Sequence, residues 1–181
     1  LLALVVGLLV ACGGSETAQA ERIRQARDLA DARRTQAEGL IDYMLSDVRA
    51  QLEPLGQLAV LDGVGQQAMI YFAALPVEEF SDVELASRSK ALYQIGQVRL
   101  DQGNLPSADT ALQESLRLAR ALRDRAPEDT DRLFGLSQSE FWVGELARRL
   151  GDLDRSLVHF EAYRDISNLL FQRDSTNLDW R

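Results

Sequence analysis

The sequence predicts an all-α fold in which antiparallel helix pairs stack into an α-solenoid. Stretches rich in Ala, Leu, Glu, Arg and Gln, without clusters of Val, Ile or Thr, favour helix over strand. Two segments, 94–112 and 142–160, each carry two glycines seven residues apart, and their matching positions are separated by 48 residues. A helix pair repeated in tandem cannot bury its apolar faces alone, so its copies are expected to stack.

The composition argues against several classes of function. The chain has 181 residues, 46% of them hydrophobic, and a formal net charge of -8, which disfavours nucleic acid as a partner because phosphate binding requires a basic face. One cysteine and one histidine leave no disulfide framework and disfavour a zinc site. The histidine, His159, has no Ser, Cys or acid at an obvious triad spacing, and the sequence contains no phosphate-binding loop or nucleophile elbow. We therefore expect neither an enzyme nor a cofactor or metal.

Residues 1–14 form the first predicted segment, which is apolar from Leu1 to Cys12. The run Leu9–Cys12 followed by two glycines resembles a bacterial lipobox, in which the cysteine is lipidated. Alternatively, the segment is the second half of a membrane-spanning helix, for which about 20 residues are needed. Either interpretation attaches the protein to a membrane of the bacterial cell envelope. The chain lacks an initiator Met, so we expect a fragment of a longer protein.

Residues 15–37 are predicted to form a helical stalk. Ser15 can cap a helix at this point. Arginines and acids predominate in the stalk, with few large apolar residues, as is typical of a helix that bridges two domains. We therefore expect this helix to stand next to the membrane with polar residues on every side.

Residues 38–80 are predicted to form a helical pair that caps the array. The first helix should end at Pro54, and the second should run from about residue 55 to 75. The first helix is expected to bury a face whose residues recur at spacings of three and four: Leu40, Ile41, Met44, Leu45, Val48 and Leu52. The second helix carries Gly63 and Gly65, which we interpret as positions of close helix packing, since no strand precedes them.

Residues 81–176 are predicted to hold two 48-residue copies of a helix–turn–helix unit. Pro106 fits the first turn of the second helix in the first copy, where its missing N–H has no cost. Asn177 lies 48 residues after the N-cap of the second copy, so residues 177–181 are predicted to begin a further, truncated copy. Each copy has an N-cap and a glycine that ends its first helix in the left-handed conformation: Ser81 and Asp129, Gly103 and Gly151.

Within each copy the small residues resemble those of the tetratricopeptide repeat (TPR). The matched positions are the tight glycine of the first helix, the turn glycine, the small residue at the helix crossing and the large apolar residue one turn later: Gly96 and Gly144, Gly103 and Gly151, Ala108 and Ser156, Leu112 and Phe160. The early Trp of that family is absent from both copies. The common TPR period is about 34 residues, and the excess of about 14 is close to four turns at about 3.6 residues per turn. The resemblance therefore implies TPR units with longer helices.

The region from Ala37 to Arg181 also resembles TPR regions of large bacterial membrane proteins, in runs such as ALYQIGQVRLDQGN and SQSEFWVGELARRLGDLD. In those proteins a single spanning helix often precedes the repeats, and a kinase, cyclase or Toll-like domain can lie upstream. The resemblance implies a membrane-tethered protein–protein interaction scaffold that is not itself catalytic. The alternative is a regulatory or dimerising region of a multidomain signalling enzyme whose catalytic domain lies outside this chain.

A protein or peptide partner is expected on the concave side of the solenoid. In stacked helical pairs the first helix of each unit lines that side, and residues pointing away from the apolar stripe are free to contact a ligand. A mix of aromatic, amide and charged side chains suits a peptide held by stacking and a few hydrogen bonds. The spacing around Gly96 and the 48-residue shift select seven such residues: Lys90, Tyr93, Gln97, Gln138, Phe141, Glu145 and Arg148.

Overall fold

A computed structural model describes residues 2–74 and 81–177 of the chain; within them, the side chains of residues 2–17, 53, 58–59, 62 and 73 lie outside the description. The described residues are all-helical and include no strand, which confirms that the fold is all-α. The α-helices in chain order are α1 (Leu2–Tyr43), α2 (Arg49–Leu52), α3 (Asp62–Ala73), α4 (Asp82–Asp101), α5 (Leu105–Arg125), α6 (Thr130–Leu150) and α7 (Leu153–Arg173). The chain divides into two units, Leu1–Gly39 and Leu40–Arg181.

The first unit is a single stretch of helix α1. Residues 18–33 are exposed throughout, as expected for a helix with polar residues on every side. The helix continues without a break through Ser15, so the prediction that Ser15 caps it was wrong: the backbone before Ser15 is already helical. Among the described residues, no helix is both long and apolar enough to cross a membrane. The side chains of the apolar run from Leu1 to Cys12, including the predicted lipidation site Cys12, lie outside the described part of the chain.

The second unit begins with a helix pair that we call hairpin 1 (residues 40–73). Its first helix leaves α1 through a π-helical turn, Met44–Val48, continues as α2 and ends in the 3-10 turn Glu53–Leu55, which contains the predicted stop at Pro54. The second helix is shorter than predicted, because α3 is preceded by a separate 3-10 turn, Leu58–Leu61. The helices pack through Leu45, Ala68 and Phe72, which are buried.

Leu40 does not join this buried face. Its side chain is 62% exposed, whereas Ile41 and Leu45 pack into the core of hairpin 1. One helical step turns a side chain by about 100°, so Ile41 and Leu45, four residues apart, share a face from which Leu40 is rotated away. The prediction that Leu40 is buried was therefore wrong.

The ends of α4 to α6 follow the predicted capping signals. Ser81 forms a capping box with Glu84, in which the Glu84 N–H donates to Ser81 Oγ at 3.3 Å and the Ser81 N–H donates to Glu84 Oε2 at 2.7 Å. Asp129 caps α6 by accepting from the backbone N–H of Asp131 and Arg132. Gly103 (φ 75°) and Gly151 (φ 80°) have the left-handed conformation that ends the first helix of each pair. These local signals are confirmed.

The turn of hairpin 1 contains a glycine in the left-handed conformation, as do the turns of the α4–α5 and α6–α7 pairs. The sequence patterns did not reveal this similarity. Gly56 has φ 66° and stands 47 residues before Gly103, so glycines in left-handed conformation recur at Gly56, Gly103 and Gly151. The described part of the second unit is therefore a row of three helical hairpins. We call α4 with α5 hairpin 2, and α6 with α7 hairpin 3.

The hairpins stack in chain order. Helix α6 contacts both α5 and α4 of the preceding hairpin, and α4 contacts α3 in the same direction. The largest core cluster joins α5 to α6 through residues that include Leu112, Leu116, Leu136 and Val143. A buried chain of serine side chains also links α4, α5 and α6. Ser115 Oγ on α5 donates to the Ser89 carbonyl of α4 at 2.8 Å and lies 2.9 Å from Ser139 Oγ of α6.

The turn at Gly151 gives a direct test of the hairpin geometry. Replacing Gly151 with alanine is expected to lower the free energy of unfolding by about 1–2 kcal/mol, the cost of a left-handed conformation for a residue with a Cβ. No atom lies within 4 Å of the Cβ position at Gly151, so the cost is conformational and not steric. Urea unfolding followed by circular dichroism measures it. Equal stability of the variant would mean that the α6–α7 turn does not need positive φ.

Candidate functional site

A groove lies between the first halves of α4 and α6 and has a volume of about 540 Å³. Side chains of α4 and α6 form its two walls, and α5 closes its floor with Ala119 and Leu122. The groove exists because α6 contacts α4 directly while α5 lies behind both. It is a concave surface along which the first helices of hairpins 2 and 3 face each other.

The groove combines an apolar interior with small residues along its walls. Tyr93 and Leu122 contribute apolar surface to the interior, and Ala86 and Gly135 leave room beside them. Val83 stands at the wall with 76% of its surface exposed. Such a surface can take an apolar side chain of a ligand without displacing protein atoms.

Charged residues at one end of the groove are held by ion pairs. Asp82 is bound by Arg125 and, at 2.8 Å, by Arg132, which also donates to the Leu122 carbonyl at 3.1 Å. The hydrogen bond from Arg125 is the main cause that lowers the pKa of Asp82; Arg132 lowers it further and partial burial opposes both. Asp129 and Asp131 complete this end. This end of the groove is thus a cluster of acidic and basic side chains that ion pairs hold in place.

Three of the seven predicted partner-binding residues line this groove: Lys90, Tyr93 and Gln138. Lys90 pairs with Asp42 of hairpin 1 at 2.9 Å while about half of its side chain stays exposed. Burial, and to a lesser extent Asp42, raises the pKa of Tyr93 to about 12, so its hydroxyl remains protonated at neutral pH. These residues present an ammonium, a phenol and an amide to the same concave surface.

Gln97 faces hairpin 1 instead of the groove. In the orientation of its amide that satisfies both polar atoms, the Gln97 oxygen accepts from the guanidinium of Arg49 at 2.7 and 3.0 Å. Arg49 also pairs with Asp101 at 2.9 Å. Gln97 therefore belongs to a polar contact between successive hairpins.

Phe141, Glu145 and Arg148 also lie away from the groove. The ring of Phe141 packs against the rings of Phe160 and Tyr163 on α7, at centroid distances of 5.7 and 5.3 Å. Glu145 accepts from Arg148 at 2.7 Å, and this bond is the main cause that lowers the pKa of Glu145 to about 2, against the opposing effect of burial. The structure thus brings together three of the seven residues and assigns the other four to contacts within or between hairpins.

The structure reveals one polar cluster that the sequence reasoning missed. Glu140, only 3% exposed, lies with Oε2 2.6 Å from His159 Nδ1, and its other oxygen accepts from Arg120 at 2.8 Å. Burial raises the pKa of Glu140, but the hydrogen bonds from His159 and Arg120 together outweigh it and lower the pKa. The cluster joins α5, α6 and α7.

A signal for this cluster was present in the repeat. Positions 48 residues before Glu140 and His159 are Leu92 and Ala111, and both are buried. A charged residue at a core position of the repeat requires a partner. Among the side chains that the structure describes, no group of three His, Cys, Asp or Glu residues is arranged to hold a metal ion.

Comparisons of the chain with protein-family models, with curated proteins and with solved structures found no match.

Proposed function

We propose that the chain is a protein–protein interaction scaffold built of TPR-like hairpins and that it is not itself catalytic. The observation that carries this proposal is the groove between α4 and α6, where Lys90, Tyr93 and Gln138 face a common apolar space. Stacked helix pairs with left-handed glycine turns support the TPR-like interpretation. A membrane tether through the apolar run Leu1–Cys12 remains part of the proposal.

The chemistry of the groove favours a peptide ligand. Its volume of about 540 Å³ accommodates a few side chains, and its interior is mostly apolar. The Gln138 amide and the Tyr93 hydroxyl can hydrogen-bond to backbone groups of a bound segment, and Lys90 can pair with an acidic side chain or terminus. A peptide with an apolar side chain flanked by an acidic group meets all three features.

A displayed library of random peptides, selected on the immobilised full chain, tests this proposal. We expect selected peptides to bind a Lys90→Ala, Gln138→Ala double variant at least about tenfold more weakly, a loss of about 1.4 kcal/mol. Both side chains reach the groove from its walls, so their truncation leaves the hairpin cores intact. Fluorescence polarisation of a labelled peptide measures the dissociation constant.

Arg148→Ala is the matched control, because Arg148 is exposed and lies outside the groove. The control should bind the selected peptides as the wild type does. If the double variant binds them equally well, or if only the control loses affinity, the groove is not the binding site.

A further inference from the structure

The groove between α4 and α6 carries its charged side chains at two levels. Asp82, Asp131 and Arg132 lie where the two helices begin, and the ion pair of Arg132 with Asp82, at 2.8 Å, joins these beginnings side by side. Lys90 follows eight residues after Asp82, and Gln138 follows seven residues after Asp131. At about 1.5 Å per helical residue, the second level lies about 11 to 12 Å further along the groove. We call the two levels the Asp131 end and the Lys90 end.

The carboxylate of Asp131 is the unpaired charge at the first of these ends. Arg132 is paired with Asp82 at 2.8 Å and with Asp129 at 3.5 Å, and Arg125 is also paired with Asp82. Asp131 is exposed, and its carboxylate makes no hydrogen bond or ion pair with the residues that the structure describes. A cationic group of a ligand is therefore the partner that this end can take.

The exposure of Asp131 does not depend on where the row of hairpins ends. Val83 stands 48 residues earlier and holds the same position in α4. Hairpin 3 packs against α4 through α6, yet Val83 stays 76% exposed. A further hairpin stacked on α6 in the same way would therefore leave Asp131 open to a ligand.

Lys90 supplies a positive charge at the other end of the groove. Its ammonium lies 2.9 Å from the carboxylate of Asp42 in hairpin 1, and about half of the side chain is exposed. An ammonium has three N–H donors, of which the two oxygens of Asp42 engage at most two. Exposed ion pairs of this kind contribute little free energy. A carboxylate of a ligand can therefore share Lys90 with Asp42.

The space between the two ends is apolar and matches the length of a short extended segment. Ala86, Ala119 and Leu122 are among the residues that line it. An extended chain rises about 3.3 Å per residue, and alternate side chains point to the same side. Residues i, i+2 and i+4 therefore span about 13 Å on one face of the chain, close to the separation of the Asp131 end from the Lys90 end.

We propose that the groove binds an extended peptide segment in which side chains of opposite charge, four residues apart, stand on either side of an apolar one. The cationic side chain meets Asp131, the apolar side chain lies over Ala119 and Leu122, and the carboxylate meets Lys90. This inference rests on the proposed function, which requires a peptide in this groove, and adds the charge pattern of that peptide. Side-chain contacts accept either chain direction, so Lys-x-Leu-x-Glu and Glu-x-Leu-x-Lys both have the pattern.

Fluorescent peptides on one scaffold test the pattern with the full chain in mild detergent. All have serine at x and blocked termini, so that the two charged positions alone differ. The set contains the two opposite-charge peptides, Glu-x-Leu-x-Glu, Lys-x-Leu-x-Lys, and a peptide of the same composition with Lys and Glu adjacent. Fluorescence polarisation measures each dissociation constant. We expect the better opposite-charge peptide to bind at least about threefold more tightly than the three others, as two exposed charge pairs predict.

Reversing one charge of the protein should exchange the preference. Asp131→Lys is expected to bind Glu-x-Leu-x-Glu more tightly than either opposite-charge peptide, and Lys90→Glu is expected to prefer Lys-x-Leu-x-Lys. A new preference of this kind cannot result from unfolding. Asp154→Lys is the matched control, because Asp154 is also an exposed acid in the first turn of a helix and does not line the groove. This control makes the same change in net charge and should keep the wild-type preference.

The outcomes separate this charge pattern from the proposed function. If the Lys90→Ala, Gln138→Ala double variant weakens binding but all peptides of the set bind the wild type equally, the pattern is wrong and the groove remains a peptide site. If the double variant binds every peptide as the wild type does, both proposals are wrong. An equal change of preference in Asp131→Lys and Asp154→Lys would reflect net charge alone and would also overturn the pattern.

Discussion

Replacing Gly96 with alanine is expected to lower the free energy of unfolding by about 1–3 kcal/mol, although alanine is the better helix former. A Cβ at Gly96 would overlap the Cγ and Cδ2 atoms of Leu112, which is completely buried at the centre of the stack. A surface leucine could turn away, but Leu112 is enclosed by the core that joins α5 to α6. Overpacking therefore outweighs the gain of about 0.5–1 kcal/mol in helix propensity.

Gly135→Ala provides the matched control for Gly96→Ala. Gly135 also lies inside a long helix, yet no atom comes within 4 Å of its Cβ position. This variant is expected to gain about 0.5–1 kcal/mol, because only the propensity effect remains. Urea unfolding of both variants measures the contrast in sign. If Gly96→Ala is as stable as Gly135→Ala, the close approach of α4 and α5 at Gly96 does not exist.

The helices of hairpins 2 and 3 could be predicted because their ends depend on local chemistry. Ser81 and Asp129 cap helices with groups two or three residues away, and Gly103 and Gly151 end them through their own backbone conformation. A signal that acts within one turn is readable from the sequence. The close helix packing at Gly96 was also predictable, since the repeat marked this position as the tight glycine of the first helix.

Hairpin 1 was harder to predict because its pattern departs from the repeat. Its turn glycine, Gly56, stands 47 and not 48 residues before Gly103, so Gly56 is not found when the sequence is compared with itself at an interval of 48 residues. The π-helical turn Met44–Val48 shifts the register of the first helix, and α3 begins after a separate 3-10 turn. A comparison at a strict interval of 48 residues misses a repeat in which one position has been inserted or deleted. The backbone accommodates an inserted residue with one wider helical turn.

The candidate site was predicted only in part because its assignment depends on distant residues. Three of the seven residues chosen by helical spacing, Lys90, Tyr93 and Gln138, lie on the surface between α4 and α6. It could not show that Gln97 meets Arg49, since that contact joins residues of different hairpins. The periodicity of a helix shows which of its side chains share a face. Which residues contact that face depends on how the hairpins stack.

Replacing Glu140 with glutamine is expected to destabilise the protein by about 1–3 kcal/mol at neutral pH. The change keeps the shape of the side chain but removes the charge that accepts hydrogen bonds from His159 and Arg120. The loss stays below that of a fully buried ion pair because half of the Arg120 side chain is exposed and can be hydrated. Glu161→Gln, an exposed change on α7, is the control and should shift stability by less than about 0.5 kcal/mol.

The pH dependence of the Glu140→Gln effect separates lost charge from altered packing. The pKa of Glu140 is lowered in the folded protein, against a usual value of 4.5, so its ionised form stabilises the fold above that value. This stability is lost as pH falls through the lowered folded pKa, where Glu140 takes up a proton. Glutamine does not titrate, so the difference between wild type and variant should be largest above about pH 5 and shrink below the usual value. Urea unfolding at a series of pH values measures it. A difference that stays constant down to about pH 3 would mean that Glu140 contributes by shape alone, and that the contacts to His159 and Arg120 do not depend on its charge.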